Sequence, residues 1–225
     1  MLDDDTTTRE IHVVLDNAGF KFMIDLMFAS YLLAANYATT VILHGKNTPW
    51  FVSDVTAHDL KSILNTLDHA NFLDPVTEDG ARSLKQFGSE FCGHFESGRL
   101  HYEAHLFWTT QYPYARLPEV APQLYVQLTT AELVIFKGDL NYRRLVLDEL
   151  RPSITSLQQA LGALGMPAET GKPGLRILAL RTREFDTCVG LRPGRKDMVD
   201  PYCTSEWTET GKYAVVSFCD AKSRA

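Results

Sequence analysis

Three short apolar or aromatic runs in this 225-residue sequence are each followed by a carboxylate. IHVVL (11–15) runs into Asp16-Asn17-Ala18-Gly19, PWFV (49–52) into Ser53-Asp54, and LVIFKG (133–138) into Asp139-Leu140-Asn141. In open parallel sheets ligands bind just beyond the carboxyl ends of the strands, so the residue types at those ends decide the available chemistry. Asp and Asn at strand-to-helix turns often do no more than cap free N–H groups, and for any one of these positions alone capping is a sufficient account. Three together bring several negative oxygens close to one another, which is costly unless a cation or a proton intervenes. Carboxylate, amide and water oxygens suit Mg²⁺ or Mn²⁺ rather than a structural zinc.

The elements that would position these residues alternate along the chain. Apolar runs predict strands at 11–15, 40–43, 133–136, 176–180 and 214–218, with extended pieces at 51–52 and 102–109. Apolar residues at helical spacing predict helices over 20–36, 59–67 (with Thr56 as its cap), 82–95, 120–128, 141–150 and 155–164. Such alternation implies a mainly parallel sheet covered by helices on both faces. The Gly- and Pro-rich stretch 165–174 reads as a flexible surface loop. With no internal repeat or low-complexity segment, one domain over 1–225, its core at about 10–220, is the simplest organisation.

Composition excludes several classes. A net charge of −6 without any Lys/Arg-rich run argues against nucleic-acid binding. The acidic start MLDDD is unlike a secretory signal, and the longest apolar stretch, 22–38, is interrupted by Asp25 and Asn36, so no membrane span is expected. The four cysteines show no metal-ligand spacing, which suggests reduced thiols in the cytoplasm or nucleus.

The segments VLDNAGF (14–20), HGK (44–46), PWFVSD (49–54), HLFWTT (105–110), LVIFKGDLNYR (133–143) and GKYAV (211–215) occur in an order that resembles the DUF89 family of metal-dependent damage-control phosphatases. Within it they are most similar to the subgroup typified by the acidic-residue methyltransferase 1 proteins and fungal sugar-phosphate phosphatases. FKGDLNYR together with LDNAGF is a specific signal. The resemblance implies a three-layer α/β/α, Rossmann-like fold. It implies Asp16, Asn17 and Asp54 as metal ligands, and Asp139, Leu140, Asn141, Tyr142 and Arg143 along a substrate pocket. It further implies a divalent cation (Mn²⁺ foremost; Ni²⁺, Co²⁺ or Mg²⁺) and small phosphorylated metabolites, ketose phosphates such as fructose 1-phosphate, as substrates. Some members of the subgroup have been proposed to methylate protein carboxylates with S-adenosylmethionine.

Three departures bear on that expectation. The family continues its first motif with Glu, where this chain has Lys21; its Arg-Thr-x-Lys motif reads Arg181-Thr182-Arg183-Glu184 here. Drift in an inactive copy is one account. The other is a charge exchange, with Lys21 and Glu184 facing each other across the pocket and Lys21 contacting phosphate. Because the family's acidic residue at position 21 is linked to adenosylmethionine binding, Lys21 weakens the methyltransferase option. The subgroup also carries a sizeable helical region before its metal motif, against 15 residues here, which suggests a fragment or a truncated product.

Phosphate-ester hydrolysis needs charge neutralisation, a placed nucleophile and a leaving-group acid. Asp16 or a water is the expected nucleophile, Lys137 and Arg143 the phosphate clamps, and Asp139 a general base or an anchor for a sugar hydroxyl. Asn141 and Tyr142 carry groups suited to sugar hydroxyls. His44 and His105 are candidate proton donors, although hydrogen-bonded structural roles are commoner for such histidines. The aromatics Phe107, Trp108, Tyr112 and Tyr114 are expected in the core or over the pocket. The oligomeric state is left open.

Overall fold

A computed structural model describes residues 8–68, 77–149, 151–166, 174–183, 185, 187–199 and 211–222. Among them, six strands form one sheet in the order β3-β2-β1-β4-β5-β6: β1 (Glu10–Val14), β2 (Thr40–Gly45), β3 (Leu100–Ala104), β4 (Leu133–Lys137), β5 (Arg176–Thr182) and β6 (Ala214–Asp220). The sheet is mixed and mostly parallel, with flanking helices, as the strand–helix alternation leads one to expect. The chain divides into two compact units, Met1–Ile11 with Asn17–Thr109, and His12–Asp16 with Thr110–Ala225.

In the first unit β2 and β3 run parallel, in register from Val41 opposite Leu100 to Gly45 opposite Ala104. Helices α1 (Phe20–Ala34), α2 (Ala57–Asp68) and α3 (Glu78–Glu96) belong to it. Phe22, Leu26, Ala29 and Leu33 recur at helical spacing on α1 and are all buried, and Phe91 of α3 and Trp108 are buried as well. Helix α3 starts earlier than its apolar pattern predicts because the Thr77 side chain accepts from Gly80 N, and Glu78 and Asp79 fill the first turn. Thr56 caps α2 in an unexpected sense: the Asp59 carboxylate takes both its N–H (2.8 Å) and its hydroxyl (2.6 Å).

The second unit holds β4, β5 and β6, with β4 parallel to β5 and β6 antiparallel to it from Arg176–Asp220 to Thr182–Ala214. Its helices are α4 (Leu117–Val120), α5 (Pro122–Thr130), α6 (Asp139–Leu145), α7 (Leu157–Ala160) and α8 (Arg195–Val199). The helix predicted over 120–128 is split at Ala121, because Pro122 opens a new helix and cannot donate back into the old one. The helix predicted over 141–150 begins at Asp139 and ends at Leu145; Leu147 and Asp148 then adopt φ of 69° and 51°. The one predicted over 155–164 reduces to α7 and a 3₁₀ turn, Gly162–Leu164. Most of the expected surface loop, 167–173, lies outside the described residues.

Two extended pieces are corrected. Residues 102–109 stay extended only to Ala104, and Leu106–Thr109 form a 3₁₀ turn whose Phe107 N–H donates to His105 Nδ1 over 3.0 Å. Residues 51–52 are a turn, drawn round by the carboxylate of Asp54.

A tight approach closes the end of β2. A Cβ added to Gly45 would overlap the Tyr102 hydroxyl and stand 2.8 Å from its Cε2. Gly45→Ala is therefore expected to destabilise by about 1–3 kcal/mol. Chemical denaturation should show that loss, and pairing it with Tyr102→Leu should recover part of it.

Candidate functional site

The first unit contributes Asn17, Lys21 and Asp54. Asn17 and Asp54 face each other as an isolated antiparallel bridge, reinforced by Ala18 N donating to Ser53 O (2.7 Å) and Asn17 Nδ2 donating to Ser53 Oγ (2.7 Å). Backbone pairing, with no regular strand, thus brings together two of the expected ligands. Asp54 is only 2% exposed. Its Oδ2 accepts from Trp50 N (2.9 Å) and Phe51 N (2.8 Å), while its Oδ1 is buried without a hydrogen-bond partner. A buried carboxylate oxygen without a hydrogen-bond partner is costly, and a cation is one group that would satisfy it. Lys21 Nζ donates to Asn17 Oδ1 over 2.9 Å. Glu184, its expected counterpart, lies outside the described residues.

Asp16, next to Asn17 in the chain, belongs to the second unit with the 137–143 segment. Its carboxylate lies against the α-carbon of Gly138, where any Cβ would overlap it; Gly138 also has φ +88°, a conformation that favours glycine. Asp139 opens α6 and pairs with Arg181 (2.6 Å). Arg181 is buried; it also donates to Phe185 O (2.9 Å) and Thr187 O, and lies over the Tyr142 ring at 4.6 Å.

Two expected substrate contacts take a different role. Asn141 has no exposed surface. Its Nδ2 reaches Lys137 O (2.7 Å), Leu15 O (2.9 Å) and Val14 O (3.3 Å), and its Oδ1 accepts the Tyr114 hydroxyl (2.6 Å). Three acceptors for two hydrogens leave the amide group no donor for a sugar. Tyr142 is likewise buried, its oxygen accepting from Val189 N (3.1 Å), and burial above all pushes its phenol up to about 12. Leu140 is buried and Lys137 half-buried.

Arg143 is gripped by Asp148 through Nε–Oδ1 (2.9 Å) and Nη2–Oδ2 (2.6 Å), and its guanidinium stacks 3.9 Å above the Phe185 ring. The Arg143 hydrogen bonds are the main reason Asp148 titrates below the ordinary carboxylate value. Of the histidines, His44 is buried edge-on to Trp108 at 5.6 Å, and His105 holds its 3₁₀ turn. Phe107, Trp108 and Tyr114 are core residues; Tyr112 is half-buried.

The residues not foreseen as site elements are Gly138, Arg181, Asp148 and Ser53. Arg181 had two legible signals: its place at the head of the Arg-Thr-x-Lys motif, and a charge closing the apolar run RILALR, which when buried demands a partner. Among the described residues no three His, Cys, Asp or Glu side chains cluster as a metal site, and no helix is long and apolar enough to cross a membrane.

These features define an α/β protein that carries oxygen donors at the ends of chain segments around a mostly parallel sheet. The chain belongs to the ARMT1-like family: the model of the damage-control phosphatase ARMT1-like domain matches residues 2–199. It is 36% identical to damage-control phosphatase ARMT1 of Mus musculus over 95% of this chain and 45% of that one. It is 34% identical to the Homo sapiens protein, over 94% and 44%, and to the Danio rerio protein, over 92% and 42%. The chain thus spans less than half the length of these relatives. A crystal structure of a DUF89 family protein from Pyrococcus horikoshii is similar over 80% of this chain and 41% of that chain, at 17% identity and a TM-score of 0.42.

Two outcomes follow for stability. Asn141→Ala strips a hydroxyl and three carbonyls of their partner and should cost about 2–4 kcal/mol in urea unfolding. The Arg143–Asp148 pair holds the Asp148 proton affinity down, so its contribution is complete above about pH 5 and fades as the pH falls through 4 and below. Asp148→Asn should therefore flatten the acid limb of stability against pH while lowering stability at neutral pH.

Proposed function

We propose that this chain carries the metal-binding centre of a phosphomonoester hydrolase acting on small phosphorylated metabolites, ketose phosphates such as fructose 1-phosphate among them. The observation that carries the proposal is the buried, unpartnered Asp54 Oδ1 beside Asn17, in a family whose named relatives are damage-control phosphatases. By type the donors suit a divalent cation: in the first unit a buried carboxylate oxygen without a hydrogen-bond partner and an amide, and in the second the carboxylate of Asp16. Two carboxylates and an amide leave positions for water and phosphate oxygens, as Mn²⁺ or Mg²⁺ prefers; Ni²⁺ and Co²⁺ are the alternatives.

Asp16, Asn17 and Asp54 are assigned to hold the cation, which when bound supplies Lewis-acid polarisation of a phosphoryl oxygen and a more acidic bound water. Asp16 or that water is assigned as nucleophile. Arg143, oriented by Asp148 and Phe185, and Lys137 are assigned to the phosphate. Asp139, fixed by Arg181, is assigned to orient a substrate hydroxyl. Asn141 and Tyr142 are left to shape the site from beneath. We place the activity in the cytoplasm, where Cys92, Cys188 and Cys219, which form no disulfide, stay reduced.

The test is phosphate release from a panel of phosphomonoesters with Mn²⁺, Co²⁺, Ni²⁺ or EDTA. Cation-dependent turnover, abolished by EDTA and lowered at least about 100-fold in Asp16→Ala and Asp54→Ala, is the expected result. Absence of turnover with every cation would replace this reading with a metal-binding but inactive interaction domain.

A further inference from the structure

Lys21 is the second residue of α1, one turn beyond Asn17, and its ammonium already occupies the Asn17 side-chain oxygen. That oxygen is the amide's only acceptor, since Nδ2 is turned to Ser53 Oγ at 2.7 Å. A divalent cation uses an amide only through its oxygen, at about 2.1 Å. With Lys21 Nζ 2.9 Å from the same atom, the two positive centres would stand within about 4–5 Å of each other. Asp54 Oδ1, buried without a hydrogen-bond partner, is the other ligand assigned in this unit.

We propose that Lys21 is a tethered competitor for the metal position at Asn17, so that a divalent ion binds only as Lys21 Nζ leaves the amide. This rests on the reading of Asn17 and Asp54 as ligands. It gives Lys21 a role distinct from pairing with Glu184: the lysine sets how tightly the chain holds its cation, and the Glu expected from the family resemblance would instead add a negative charge there. The hydrogen bond between Lys21 Nζ and Asn17 Oδ1 is exposed to solvent.

The experiment is a titration of the full chain with Mn²⁺, reading free Mn²⁺ by electron paramagnetic resonance, without any substrate. Repulsion between a divalent and a monovalent charge about 4 Å apart in water corresponds to roughly 30-fold in affinity. Lys21→Met should bind Mn²⁺ about that much more tightly than the wild type, and Lys21→Glu more tightly still. Lys21→Arg, which keeps the charge, should stay within about threefold of wild type. So should Lys85→Met, which removes an exposed lysine from α3. Equal Mn²⁺ affinity in the wild type and Lys21→Met would overturn the competition while leaving the metal reading intact. Binding by neither protein, nor by Lys21→Glu, would overturn both. A gain in Lys85→Met equal to that in Lys21→Met would reduce the effect to overall charge and overturn the specific role.

Discussion

The side-chain amide of Asn141 is the interaction on which the second unit's share of the site depends. From inside the first turn of α6 it fastens the carbonyls of Val14 and Leu15 at the end of β1 and of Lys137 at the end of β4, while Tyr114 locks its oxygen. Strand ends are where ladder hydrogen bonding stops and buried backbone groups need other partners. One amide meets that need for two strands at once, and the residues immediately following them are Asp16 and Gly138-Asp139. The acidic groups are therefore positioned by main-chain tethering beneath them. Gly138, having no Cβ, lacks the one atom that would push Asp16 aside.

Two arginines of the same unit sit in matched settings. Arg181 and Arg143 each have a carboxylate, Asp139 and Asp148 respectively, and each lies over an aromatic face, Tyr142 and Phe185. Planar guanidinium groups suit this combination, because their edges bond to oxygen while their faces stack. Arg181 is wholly buried, so removing Asp139 would leave an uncompensated interior charge, a costly state. Arg143 is the more accessible of the two and retains the character of a group that can meet an anion.

Much of the architecture was legible because the core strands are written as unbroken apolar runs. IHVVL, TVIL, LVIF and ILAL each became a strand within one or two residues of the expected ends. Where reading failed, the deciding interaction carried no periodicity. The aromatic WFV looks extended, yet the Asp54 carboxylate reaches back three and four residues to bend it. Helix α6 stops without a glycine because Asp148 turns left-handed while gripping Arg143 and Thr187. At the site, residue types announced carboxylate and amide chemistry at Asp16, Asn17 and Asp54, but not which groups the fold would consume. Asn141 and Asn17 are the same amino acid after the same kind of segment; one is buried among carbonyls more than 120 residues away, the other bridges a neighbouring loop. Only tertiary contacts separate them.

The turn around Asp54 makes its carboxylate a shared fastener. One oxygen holds the amides of Trp50 and Phe51, and the other is bare; an electron-withdrawing charge drawn to the bare side polarises the whole group and loosens its hold on the two amides. Trp50 is partly open to solvent on that turn, whereas Trp108 is sealed in the core. The main chain at Trp50 is thus held by the same carboxylate whose other oxygen is bare, so the shape of this exposed turn and the charge state of Asp54 are one matter.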